Sequence, residues 1–125
     1  MAGTVGLDRA AIGASGACIL HCLALPVLAA SLPFAAFFAE AEWFHVLMAL
    51  ITIAVSLTVV LSAGSTLTAS FLLAVFVGMA LVALGLFAEG LGLSETILTA
   101  VGGSFIAAAH LSRLRRGSPH IDHAP

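Results

Sequence analysis

Four runs of apolar residues, each about as long as a bilayer's hydrocarbon core is thick, leave this chain few folds to choose from. A helix needs roughly 20 residues to cross a core about 30 Å thick. The runs at about 10–32, 43–61, 66–87 and 95–114 all reach that length. Composition removes the soluble alternative. Of the 125 residues 62% are hydrophobic and 8% charged, with a mean hydropathy of +1.21, whereas a soluble domain carries about 25% charged residues to coat its exterior. The expected fold is therefore all-α, an integral membrane bundle of four transmembrane helices. Residues 1–125 make a single membrane domain ending in a short, polar, disordered tail at 117–125.

The connectors agree with this division. Pro33 is expected to stop the first helix, and Ser62-Ala63-Gly64-Ser65 reads as a tight turn. Gly90 and Gly92 break the chain ahead of Ser94, which suits an N-cap for the fourth helix. Pro26 falls inside the first helix, where it removes a backbone bond. Arg9, the apolar run and Ala29-Ala30-Ser31 partly imitate a secretory signal. The run is longer than a signal's apolar region and three more follow it, so it is read as a retained first helix.

Four crossings return both termini to one side, together with the turn at 62–65. Arg9, Arg113, Arg115 and Arg116 all fall on that side, while Glu40, Glu42, Glu89 and Glu95 fall in the opposite connections. The positive-inside tendency then makes both termini cytoplasmic, in a multi-pass protein of a cell inner membrane. The basic cluster is a topology signal, and no nucleic-acid surface exists.

Few polar residues remain once the lipid problem is solved. The main group is Cys18, His21 and Cys22 in the first helix, on the face shared with Ala11 and Ala14. Counted from Arg9 at 1.5 Å per residue, Cys18 lies about 13 Å deep and Cys22 about 20 Å deep, bracketing the midplane. Two cysteines four apart project from one face with Cβ atoms about 5–6 Å apart, wider than an unstrained disulfide accepts. Thiols and an imidazole together form a donor set for a soft or borderline metal, and such binding releases protons and weakens on acidification. His45 begins the second helix beside Trp43, near the outer surface. His110 lies on a small-residue face of the fourth helix with Ala100, Gly103 and Ala107, and is expected to point into the bundle. Ionisable residues inside a bilayer mark functional sites, so Cys18, Cys22, His21, His45 and His110 are the candidate metal residues, His45 and His110 as outer and inner relays. Cysteine also packs as a small apolar residue, and His45 also reads as an interfacial hydrogen-bonder. His120 and His123 form a weaker pair in the tail. Thr52, Ser56 and Thr58 are expected to bond back to helix carbonyls. No phosphate loop, serine triad or intramembrane carboxylate pair appears, so no enzyme is expected.

The pattern Ser15-Gly16-Ala17-Cys18-Ile19-Leu20-His21-Cys22, followed by Pro26 and Leu32-Pro33, resembles the first helix of the MerC-domain family. Trp43-Phe44-His45 is similar to the start of that family's second helix. Leu98-Thr99 through Ala108-Ala109-His110-Leu111 is similar to its fourth. The resemblance covers about residues 10–116. It implies four spans, uptake of mercuric ion across a bacterial inner membrane, and Cys18 and Cys22 at the intramembrane cysteine pair.

The function expected is thus binding and uptake of a soft metal ion, Hg(II) by resemblance or Zn(II) or Cu(I) by donor set, as cargo rather than resident cofactor. The partners are the metal ion and the lipid bilayer, with a homo-oligomer left open. Two rival readings stand beside it. One is a haem-binding membrane redox protein using histidines as axial ligands, although His45 and His110 fall near opposite surfaces. The other is a metal sensor or partner subunit that binds without transporting.

Overall fold

The computed structural model describes residues 2–32, 34 and 42–117. These residues form four α-helices: α1 Ala2–Ser31, α2 Glu42–Ala63, α3 Ala69–Gly85 and α4 Glu95–Gly117. Of the expected disordered tail at 117–125, Gly117 is the last residue of α4; residues 118–125, with His120 and His123, lie outside the described residues, as do Pro33 and Glu40.

Three stretches are long and apolar enough to cross a membrane: Gly3–Ala24 in α1, Glu42–Thr66 along α2 and Glu95–Gly117. The third expected run, 66–87, is trimmed at both ends. Thr68 accepts a hydrogen bond from the Phe71 amide at 3.3 Å and so caps α3. Beyond Gly85 the chain passes through turns to Gly92, whose φ of +67° suits glycine. The result is an apolar helix of 17 residues, about 25 Å long, at the short limit for a span.

α1 departs from its expected start in the opposite direction. It begins at Ala2, so Asp8 and Arg9 sit within the helix and not ahead of it. A charged pair reads as a boundary only when it faces water. Asp8 is 2% exposed and is paired inside the bundle, so the helix has no reason to stop there. α1 then continues through Pro26 to Ser31. α2 ends in a 3-10 turn at Gly64–Thr66, and Ser94 caps α4 by accepting from the Ile97 amide at 3.4 Å.

α4 packs along both α1 and α3, α1 packs along α2, and α2 meets α3 only lightly. The α3–α4 seam is made by glycines. A Cβ on Gly78 would lie 2.6 Å from Ile106 Cγ1 and 2.7 Å from the Gly102 carbonyl oxygen, and one on Gly85 would lie 2.6 Å from Thr99 Cγ2. Small residues of this kind let helix backbones touch in lipid. Of the small-residue face expected on α4, Gly103 lies beside Ile19 of α1, while Gly102, which is not on that face, lies against Gly78 and Val82 of α3. Lipid-like surroundings suit the outside, where Leu20, Leu61, Leu73 and Ile97 are 63–75% exposed.

The bundle has two chemically distinct ends. Arg9, Arg113, Arg115 and Arg116, every arginine in the chain, line a cavity with Thr66 and Thr68 where α1 begins and α4 ends. Glu42, Glu89 and Glu95 line a second cavity at the other end, with His45.

Candidate metal site

Successive turns of α1 bring Ser15, Cys18 and Cys22 to the face that α4 covers, and all three are buried. Both cysteines are free thiols. The Cys22 Sγ lies 3.6 Å from Thr99 Oγ1 of α4 and 3.9 Å from His45 Nε2 of α2. The second thiol therefore sits where three helices meet.

His45 is held from both sides. Its Nδ1 lies 3.1 Å from Glu95 Oε1, and its ring makes an edge contact with His21 at 4.8 Å between centroids. His21 in turn stacks on Phe44 at 4.3 Å. The His21 Nε2 is buried and has no hydrogen-bond partner among the described residues, and the same is true of Ser15 Oγ. A buried polar atom without a partner costs free energy.

His45 thus joins Cys22 on one side and His21 on the other, and it lines the acid-rich cavity of about 540 Å³. These side chains do not form a finished cage. Among the described residues, no three His, Cys, Asp or Glu side chains converge closely enough to hold a metal ion. The one thiol–imidazole contact among the described residues is Cys22–His45 at 3.9 Å.

His110 belongs to a different site. It is fully buried and lies 11 positions beyond Thr99 on α4, about 16 Å along the helix. Its Nδ1–H donates to Asp8 Oδ1 at 2.7 Å, leaving Nε2 to accept from the Ser56 hydroxyl at 3.4 Å. Arg113, one turn further along α4, donates from Nη1 to both Asp8 oxygens at 2.9 and 2.8 Å. Phe71 closes the cluster, edge to the His110 ring at 5.2 Å. Ser56 therefore does not bond back to its own helix as expected. Thr58 does, donating to the Ala54 carbonyl at 2.7 Å.

Sequence reasoning passed over Asp8, Glu95 and Thr99. Asp8 carried a signal: it is an acidic residue one turn before an apolar run, and His110 and Arg113 have the spacing to present two donors to it from one face. Glu95 looked like a helix-end charge, and only the approach of α2 to α4 makes it a partner of His45.

A sequence profile for the family described as MerC mercury resistance protein matches residues 8–115. No curated protein and no solved structure matches the chain.

Proposed function

The chain belongs to the MerC mercury resistance protein family, and from that premise we propose that it binds a soft metal ion at Cys18 and Cys22 and carries it across an inner membrane. The observation that supports this most is the pair of buried free thiols on one face of a membrane-length helix, with the His45 imidazole 3.9 Å from the second. Thiolates favour soft ions, and two of them suit linear Hg(II), while an added imidazole admits Zn(II) or Cu(I). His45 meets the ion first on its way from the acid-lined cavity. His21, with its unpartnered Nε2, is the adjacent donor. His110 serves near the inner end, where the metal would compete with its present partners.

In this reading all four helices cross the bilayer, α3 as the shortest span. Both termini are cytoplasmic, since the four arginines cluster at the end where α1 starts and α4 finishes. The cargo moves by exchange between donors, and the family is not one of enzymes. A haem reading finds less support, because His21 and His45 touch ring to ring and leave no gap for a porphyrin.

The test is titration of Hg(II) into purified wild type and the Cys18→Ser and Cys22→Ser variants, followed by flux into proteoliposomes. Either substitution should weaken binding by at least an order of magnitude and abolish flux. Equal affinity in all three proteins would remove the site. Binding without flux in wild type would leave a sensor or partner subunit.

A further inference from the structure

We propose that Glu95 and Thr99, one turn of α4, are positioning residues that make His45 and Cys22 a thiolate–imidazole pair able to hold a borderline ion such as Zn(II). This rests on the metal site proposed above and adds the groups that orient its donors. The Glu95 carboxylate lies 3.1 Å from His45 Nδ1. An ionised carboxylate only accepts hydrogen bonds, so Nδ1 must carry the proton. An imidazole protonated only there keeps a lone pair on Nε2, the atom 3.9 Å from Cys22 Sγ. Carboxylates behind metal-binding histidines act in this way in many sites, selecting the tautomer and fixing the ring.

Geometry supports the pairing independently. With Zn–S near 2.3 Å and Zn–N near 2.0–2.1 Å, sulfur and nitrogen on one ion stand about 3.6 Å apart at a tetrahedral angle and about 3.8 Å at a trigonal one. The observed 3.9 Å lies within a few tenths of an ångström of such an edge, so a small approach of the ring to the thiol would close it. The same turn of α4 braces the thiol. The Thr99 hydroxyl donates to the Glu95 carbonyl at 2.8 Å, which holds its Oγ1 3.6 Å from Cys22 Sγ. When the thiol proton leaves on metal binding, that hydroxyl is in place to turn and donate to the sulfur. Cys18 supplies the next donor. A linear Hg(II) bound by the two sulfurs needs no imidazole, so Glu95 should matter to one ion and not the other.

The experiment compares Zn(II) and Hg(II) affinities of wild type, Glu95→Ala, Glu95→Gln, His45→Ala and the Glu95→Ala/His45→Ala double variant. Glu95→Ala should weaken Zn(II) by 10–100-fold while Hg(II) affinity stays within a few-fold and the thermal unfolding midpoint in detergent stays that of wild type. Glu95→Gln, which keeps an acceptor oxygen, should recover part of the loss. In the His45→Ala background Glu95→Ala should cost nothing further, because Glu95 acts through the imidazole. Bound Co(II) should lose its nitrogen-donor spectral signature in Glu95→Ala but keep its thiolate charge-transfer band. Loss of Zn(II) affinity by Glu95→Ala in the absence of His45, unchanged Zn(II) affinity in Glu95→Ala, or no Zn(II) binding by wild type would each overturn the inference. Failure of the thiol site itself would appear separately, as Hg(II) binding indifferent to Cys18→Ser and Cys22→Ser.

Discussion

Asp8 is the residue on which the arginine-lined end of the molecule depends. Its side chain is 3% exposed and faces a guanidinium and an imidazole, both from α4. Removing one partner of a buried ion pair leaves the other charge without compensation, at a cost of about 3–5 kcal/mol. Asp8→Ala should therefore lower the thermal unfolding midpoint in detergent sharply. Arg113→Met should do the same, and the double variant should be milder than the sum of the two, since no lone charge is then left buried. A midpoint unchanged in Asp8→Ala would show that the cluster contributes nothing to stability. At the other end the thiol pair makes a smaller demand on the fold. Cys18 and Cys22 pack as compact apolar groups, so serine there should affect metal binding more than unfolding.

Among the elements, α4 organises the rest. It contacts α1 through Gly103 and the Asp8 cluster, and α3 through Gly102. The two glycine contacts differ in kind from glycines on the exterior. Gly78→Ala forces a methyl group to within 2.6 Å of Ile106 and 2.7 Å of a backbone oxygen, which cannot yield. Overpacking of that sort costs about 1–3 kcal/mol, and the variant should unfold earlier than wild type. Gly13→Ala meets nothing within 4 Å. Alanine favours a helix over glycine by about 1 kcal/mol, so that change should be neutral or slightly stabilising. If the two variants unfold together, close approach of α3 and α4 is not what holds the seam.

For the whole molecule the sidedness of charge is the governing feature. Arg9, Arg113, Arg115 and Arg116 gather at one end, and Glu42, Glu89 and Glu95 at the other. Reporter fusions at residues 3 and 120 should both read as cytoplasmic, and an external signal from either would break the four-crossing arrangement. The same polarity gives the proposed transport a direction. On the proposed route a cation would collect at the acid-lined cavity and meet His45 and Cys22, whereas the Asp8–His110–Arg113 cluster stands at the arginine-lined end. Release along that route would then have to loosen the cluster or pass beside it.

The helices were legible in the chain because lipid imposes length and hydrophobicity directly on consecutive residues, a demand that needs no knowledge of neighbours. The thiol face was legible in part, since Ala11, Cys18 and Cys22 share a side of α1 by helical period, whereas Ser15 is buried with them in place of the expected Ala14. Which polar groups meet across helices was not. His110 seemed a free relay until α1 brought Asp8 to within 2.7 Å of it, and Glu95 seemed an interfacial charge until α2 set His45 against it. Those partners stand 102 and 50 positions apart in the chain. Their meeting depends on how α1 and α2 are set against α4, which no local pattern encodes. Hydropathy and period therefore determined the elements and the candidate donors, and tertiary packing alone decided which donors share a site.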